Sequence, residues 1–260
     1  MNYTLQQQGK FKYIEEGEGE IIILLHGLFG ALSNFEALIN YFKRDYKVII
    51  PMLPIYELPI FKVNLPNITH FIEDFVAYKK YEKVSVLGNS LGGHVALLYT
   101  LANQEKITSM ILTGSSGLYE NAMSDSFPKR GNYDFIKEKT EYTFYDPKTA
   151  TKELVDEVFN TVTNREKALR VVSVAKSAIR NNLADQLHKI EVPTLLVWGL
   201  QDRITPIEVA KDFNSLIPNS ELHFIDKCGH APMMEKPDEF NAILEQFLKK
   251  VVKKTDKLTV

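Results

Sequence analysis

Short apolar runs rich in β-branched residues recur along the chain, and polar or glycine-rich stretches separate them. The run at 21–25 stops at His26-Gly27, which predicts a buried strand that ends in a loop. Similar runs lie between segments with helical spacing, at 46–50, 84–87, 107–112, 194–198 and 222–225. This alternation predicts an α/β fold, in which helices cover both faces of a mainly parallel sheet.

Two regions depart from this alternation. Residues 3–5 and 10–15 alternate in polarity and predict an antiparallel hairpin at the edge of the sheet. Between 117 and 190 the strand signal disappears, and apolar residues follow helical spacing, as at Leu154, Val155, Val158 and Phe159. We therefore expect a sheet domain built from 1–116 and 191–260, with a helical cap, 117–190, inserted over its active edge.

Composition and charge limit the function classes. Hydrophobic residues make up 45% of the chain and charged residues 25%, which is typical of a soluble globular protein. The formal net charge of −2 argues against nucleic acid or an anionic membrane as partner. With one cysteine no internal disulfide is possible, and neither a signal peptide nor a membrane-length apolar stretch is evident. We expect a cytoplasmic protein.

The most informative motif is Gly88-Asn89-Ser90-Leu91-Gly92-Gly93. It follows a predicted strand and leads into a helix-compatible sequence, which is the context that a nucleophile elbow requires. Small residues there let strand and helix pass closely while the Ser90 hydroxyl stays accessible. A glycine-rich connection without function is the alternative, but the placement and the extra Gly93 favour Ser90 as a nucleophile.

A serine nucleophile needs a base, and six histidines compete for that role. His230 follows the last predicted strand, so its loop faces the same sheet edge as Ser90. His94 is better explained by helix packing, and His26 by bracing of its own loop. No motif supports the remaining three, which are His70, His188 and His223.

The base in turn needs an orienting acid. Asp202 follows the strand at 194–198 and lies between Ser90 and His230 in chain order, as this arrangement requires. Alternatively, Asp202 could pair with Arg203 or cap the following helix. Asp226 is the fallback for the acid.

Attack on an acyl carbon creates an oxyanion, which backbone N–H groups can stabilise. The loop after the first buried strand and the residue after the nucleophile are suitable sources of such donors. We assign the N–H groups of Leu28 and Leu91 to this role, with Phe29 as the alternative to Leu28. This chemistry requires no metal and no organic cofactor.

Four motifs together resemble the α/β-hydrolase superfamily over nearly the whole chain. They stand in the family's order and spacing: His26-Gly27-Leu28-Phe29-Gly30, the motif around Ser90, Trp198-Gly199-Leu200-Gln201-Asp202, and Gly229-His230. The first is similar to that of small bacterial carboxylesterases. The segments around Ser90 and His230 are similar to hydrolases that cleave C–C bonds in ring-fission products. The resemblance implies an α/β-hydrolase fold with an inserted cap.

Departures from the family pattern guide the choice of substrate. The C–C hydrolases usually carry tryptophan after the catalytic histidine, where this chain has Ala231, and residues 51–56 lack the usual turn. The serine nucleophile excludes the haloalkane dehalogenase and epoxide hydrolase branches. We therefore expect cleavage of a small carboxylic ester through an acyl-enzyme. A C–C hydrolase and a ligand sensor with little or no turnover are the alternatives.

Aromatic residues near the start of the predicted cap are candidates for the substrate pocket. Equally, they could form only the cap's own core. They are Phe127, Tyr133, Phe135, Tyr142, Phe144 and Tyr145.

Overall fold

A computed structural model describes residues 3–29, 35–119 and 129–258, with side chains as far as residue 253. Gly30 and Phe127 lie outside the described residues. The strands are β1 (Gln6–Gln8), β2 (Phe11–Glu16), β3 (Glu20–Leu25), β4 (Tyr46–Pro51), β5 (Val84–Asn89), β6 (Ile107–Thr113), β7 (Thr194–Gly199) and β8 (Ser220–Ile225). They form an 8-stranded sheet in the order β1-β2-β4-β3-β5-β6-β7-β8. The predicted α/β class is confirmed.

The sheet is parallel from β4 through β8, while β1 and β2 are antiparallel. The hairpin prediction is correct in kind, but its first strand begins at Gln6 rather than at Tyr3. Gly9 at φ 58° forms the turn, and Gln8 pairs with Phe11. The turn therefore sets the register of β1, whose three glutamines carry no alternation that sequence reasoning could detect.

Helices cover both faces because successive residues of a buried strand point to opposite sides. In β3, Ile23 and Leu25 pack in one core cluster and Ile22 and Leu24 in the other. The first cluster includes residues of α2 (Leu65–Lys79), α3 (Leu91–Ala102) and α7 (Ile207–Leu216); the second includes residues of α1 (Glu36–Phe42), α8 (Pro232–Glu235) and α9 (Pro237–Leu258). Among the described helices, none combines the length and apolar character of a membrane span.

The described residues between β6 and β7 form helices and turns but no strand, in agreement with the lost strand signal. The helices are α4 (Tyr133–Tyr142), α5 (Lys152–Thr163) and α6 (Arg165–Arg180). The side chains of Asn132, Thr151 and Asn164 accept N–H bonds at their first turns, which accounts for where each begins. We call the segment 114–193 the insertion. Its status as a separate cap with the bounds 117–190 stays a prediction.

Candidate active site

Ser90 lies between the end of β5 and the start of α3 in a backbone conformation that side chains rarely adopt, with φ 54° and ψ −119°. Its backbone N–H donates to Thr113 O at 3.2 Å, and its carbonyl oxygen accepts from Ser116 N at 3.2 Å. The loop after β6 therefore supports the turn. Ser90 is half-buried, so its hydroxyl lies at the carboxyl edge of the sheet as the elbow motif predicts.

Two glycines allow the elbow to close. A Cβ on Gly92 would lie 1.9 Å from Leu25 O, and one on Gly88 would lie 2.3 Å from Gly92 O. Backbone at these distances cannot accommodate a side chain. The prediction that small residues let strand and helix pass closely at Ser90 is confirmed.

The structure brings His230 and Asp202 together. His230 Nδ1 and Asp202 Oδ2 are 2.9 Å apart, and both side chains are buried. The carboxylate also accepts bonds from Ile204 N at 2.8 Å, Thr205 N at 3.0 Å and Thr205 Oγ1 at 2.7 Å. These donors hold the carboxylate in an orientation that presents Oδ2 to the imidazole. Asp202 thus organises the following turn and contacts the histidine at once.

The structure does not favour the alternatives to a pairing of Asp202 with His230. Asp226 is exposed, and Gln201 Nε2 donates to it at 3.0 Å, which lowers the pKa of that carboxyl. The guanidinium of Arg203 lies over the ring of Tyr142, 4.9 Å from its centroid. Thr205 donates to Asp202 instead of capping α7, whose N-cap is Pro206. The geometry therefore favours Asp202 over Asp226 as the partner of His230.

The structure bears out the predicted roles of His26 and His94. His26 Nδ1 bonds the carbonyl of Gly27 at 2.8 Å, and Leu53 N donates to His26 Nε2 at 3.1 Å, so this ring braces its own loop. His94 is buried on α3, where Nε2 donates to Asn181 O at 2.8 Å. Burial lowers the pKa of His26, and that of His94 to about 4. Both rings are therefore neutral at pH 7.

The loop that carries Leu28 lies against the elbow. A Cβ on Gly27 would lie 3.4 Å from the Cβ of Ser90. Leu91 is the first residue of α3, directly after Ser90, so its N–H has no carbonyl partner within the helix. Tyr56 Oη donates to Leu28 O at 3.3 Å, which fixes the peptide between Leu28 and Phe29. Neither oxyanion donor is tested by these contacts, and both stay predictions.

Sequence reasoning missed two residues that shape the site. Asn89 Nδ2 donates to Thr113 O at 3.0 Å and to His230 O at 3.1 Å. These bonds join the elbow to the loop 226–231 between β8 and α8, which we call the histidine loop. Gly114, at φ 51°, lies behind the imidazole, and a Cβ there would meet His230 Nδ1 at 2.9 Å. The position of Asn89 inside the elbow motif was a usable signal for the first. Nothing in the sequence indicates that Gly114 contacts a residue so distant along the chain.

The aromatic residues of the insertion have different environments. Phe144 is buried in a core cluster that contains Ala231, and Tyr133 stacks edge-to-face on Phe159 at 5.1 Å. Phe135 is half-buried, whereas Tyr142 and Tyr145 are exposed. Phe144 and Tyr133 thus contribute to packing. A role in the substrate pocket stays a prediction for the group.

Two known hydrolases are similar in sequence to this chain. The chain is 30% identical over 253 residues to 2-hydroxy-6-oxo-6-(2'-aminophenyl)hexa-2,4-dienoic acid hydrolase of Metapseudomonas resinovorans, covering 90% of this chain and 86% of that protein. It is 27% identical to 2-hydroxy-6-oxo-6-phenylhexa-2,4-dienoate hydrolase of Comamonas testosteroni, covering 91% and 90%.

Among solved structures, the chain is similar to MGS-MChE2, an α/β-hydrolase enzyme from the metagenome of sediments of the Mar Chica lagoon, Morocco. The TM-score is 0.80 at 44% identity, and the match covers 95% of this chain and 98% of the other. The family model for the α/β-hydrolase fold matches residues 20–237, which contain the elbow, Asp202 and His230. The chain therefore belongs to the α/β-hydrolase fold family.

Proposed function

We propose that this protein is a serine hydrolase that cleaves a C–C bond in small 2-hydroxy-6-oxo-dienoic acids produced by aromatic ring fission. Ser90 acts as nucleophile, His230 as base and Asp202 as the acid that orients it. The observation that carries the proposal is the buried bond of 2.9 Å between His230 Nδ1 and Asp202 Oδ2 beside the elbow. The curated relatives named above support the substrate class.

The proposed first half-reaction forms an acyl-enzyme. His230 Nε2 takes the hydroxyl proton of Ser90 while Oγ attacks the C6 carbonyl carbon of the substrate. Asp202 holds the imidazole in the required tautomer and stabilises the imidazolium. The N–H groups of Leu28 and Leu91 stabilise the negative charge on the carbonyl oxygen. Before the C5–C6 bond breaks, the proton of the 2-hydroxyl moves to C5, which gives the 2-oxo tautomer. The electron pair of the broken bond then passes through C4 and C3 to the C2 oxygen, which receives the proton from His230, and the hydroxydienoate leaves.

The second half-reaction releases the acid. Water gives a proton to His230 and attacks the acyl carbon, and the Ser90 oxygen leaves and recovers its proton. One water is consumed in total, and the enzyme returns to its starting state. The same groups serve an ester, in which the leaving atom is oxygen instead of carbon.

A small carboxylic ester is the second candidate substrate, and Ala231 is the observation that favours it. Ala231 is buried next to the catalytic histidine, at a position where the resemblance implies tryptophan in C–C hydrolases. Without the ring, a planar dienoate is held by fewer contacts, and misplacement by about 1 Å can cost about 100-fold in rate. The curated relatives nevertheless favour C–C cleavage over the ester cleavage expected from Ala231 alone.

A substrate comparison on the purified protein tests the proposal. We expect a higher kcat/KM for 2-hydroxy-6-oxo-6-phenylhexa-2,4-dienoate than for p-nitrophenyl acetate, and loss of both activities in Ser90→Ala. A fluorophosphonate should modify Ser90, as shown by intact mass and peptide mapping. Preference for the ester would select the second candidate. Failure to turn over either compound would leave a ligand sensor on the same fold.

A further inference from the structure

Glu235 is a glutamate that the proposed chemistry does not use, yet it contacts the backbone on both sides of His230. It is the last residue of α8. Its Oε1 accepts from Gly229 N at 2.9 Å and from Ala231 N at 3.4 Å. Its Oε2 accepts from Tyr145 N at 2.7 Å, which belongs to the insertion. One carboxylate therefore joins the histidine loop to the insertion.

The histidine loop and the insertion also meet directly. His230 N donates to Thr143 O at 3.0 Å. A Cβ on Gly229 would lie 2.8 Å from both Thr143 O and Tyr145 N, so the two backbones pack without space for a side chain. The carbonyl of His230 is held by Asn89 on the opposite side. The peptide groups at His230 are thus fixed by the elbow, the insertion and Glu235 together.

The environment of Glu235 shows how much this carboxylate depends on its N–H partners. Burial raises the pKa of Glu235, and the nearby charge of Asp202 acts in the same direction, whereas the bonds from Tyr145, Ala231 and Gly229 oppose the rise. Partial burial of a carboxylate costs free energy unless its oxygens accept hydrogen bonds. Conversely, without it the N–H groups of Gly229 and Tyr145 lose the acceptor that they share.

We propose that Glu235 is a positioning residue that sets the place of the His230 imidazole and couples it to the insertion at 143–145. The proposal rests on the proposed function only in taking His230 as the base that activates Ser90. Movement of residues 143–145 shifts the loop that carries His230 through this carboxylate. The residue touches no reacting atom.

The test compares Glu235→Gln with Glu239→Gln, which removes the same charge from an exposed position on α9. Glutamine keeps one acceptor oxygen but turns an NH₂ group toward a backbone N–H, so one arm of the bridge is lost. We expect fluorophosphonate labelling of Ser90 to slow about 10- to 100-fold in Glu235→Gln. The downfield NMR resonance of the His230 Nδ1 proton, assigned by its loss in Asp202→Asn, should broaden. Glu239→Gln should match wild type in both.

Wild-type labelling with an unchanged sharp resonance in Glu235→Gln would overturn the proposal. If Glu235→Gln does not fold, hydrogen exchange of the wild-type protein decides: the amides of Gly229, His230 and Tyr145 should be protected to a similar degree, and an unprotected Tyr145 amide would contradict the bridge. Absence of Ser90 labelling in the wild type would count against the proposed function. The NMR and exchange measurements would still test Glu235.

Discussion

The carboxyl edge of the sheet and the insertion differ in how firmly the structure holds them. Every residue of β5 and β7 is buried, and the loops that follow these strands carry Ser90 and Asp202. The insertion helices bury only one side: α4 buries Ile136 and Thr140 and leaves its other side exposed or half-buried. A rigid edge suits groups that must meet within a few tenths of an ångström, whereas a half-exposed segment can change its surface without disturbing them.

The two regions meet at a few specific contacts. His94 Nε2, on α3, donates to Asn181 O of the insertion at 2.8 Å. At the other end of the insertion, Glu235 accepts from Tyr145 N. The proposed chemistry belongs to the sheet edge, and these contacts attach the insertion to that edge. We therefore expect large effects from substitutions at the sheet edge and smaller effects from substitutions at the contacts that connect it to the insertion.

The largest effect should follow Asp202→Asn. The amide cannot hold the imidazole in its required tautomer or balance the imidazolium charge, so we expect kcat to fall about 10⁴-fold. Activity on the better of the two substrates, with circular dichroism to show folding, measures this. Asp226→Asn is the control, because Asp226 is exposed and bonds the side chain of Gln201. A larger loss in the control would mean that the acid is misassigned.

A smaller but still large effect should follow Gly114→Ala. The added Cβ would meet His230 Nδ1 at 2.9 Å and His230 O at 2.7 Å, and the backbone is at φ 51°. Because the imidazole must move, we expect kcat to fall about 100-fold with little change in KM. Gly131→Ala is the matched control, since nothing lies within 4 Å of a Cβ there. Equal kinetics for the two variants would show that Gly114 does not position the ring.

The same comparison explains what the sequence could predict. The buried strands whose carboxyl ends carry the site have continuous apolar runs, so the local sequence pattern predicted their positions. For example, β7 was expected at 194–198 and is Thr194–Gly199. The elbow could be read because its strand, serine and glycines are contiguous. Asp202 and His230 could be chosen because loops at the carboxyl ends of parallel strands converge. In each case a short segment contains the signal.

The missed features depend on pairs that are distant in sequence. Gly114 against His230, Asn89 to the carbonyl of His230, and Glu235 to Tyr145 are contacts between segments that only folding brings together. Glu235 belongs to the segment after His230 that resembles the C–C hydrolases, but that resemblance assigns it neither a role nor a partner. Such contacts are specified by tertiary packing, which local propensity does not encode.

The connection through His94 should make stability depend on pH. Burial lowers the pKa of His94 from 6.5 to about 4, so between those values the unfolded chain binds a proton that the folded chain does not. The contribution of His94 to the free energy of unfolding is therefore complete above pH 6.5. It falls by about 3 kcal/mol as the pH drops toward 4. Urea unfolding of wild type and His94→Gln at pH 7 and pH 4.5 should show a smaller pH dependence in the variant.

His70 provides a control of opposite sign for that measurement. It is exposed, and its bond to Glu73 raises the pKa of its ring. A raised pKa contributes stability at low pH that disappears as the pH rises through the folded value. His70→Gln should therefore not reduce the acid sensitivity of the protein. If His94→Gln shows the wild-type dependence, His94 is protonated in the folded state at pH 4.5 or does not contribute.

The smallest expected effect concerns Tyr56, which lies between the Leu28 loop and the insertion. Its hydroxyl donates to Leu28 O at 3.3 Å, and Lys167 of α6 lies 5.4 Å from the centroid of its ring. Tyr56→Phe removes the bond and keeps the ring.

The bond is long, and the peptide that it orients carries the N–H of Phe29, not that of Leu28. If Leu28 supplies the oxyanion donor, we therefore expect kcat to fall by only about 2- to 10-fold. If Phe29 supplies the donor instead, the loss should approach the roughly 100-fold or greater effect of a removed oxyanion donor. Tyr78→Phe, at an exposed ring, should leave kcat unchanged. The size of this one rate change therefore distinguishes the two assignments of the donor.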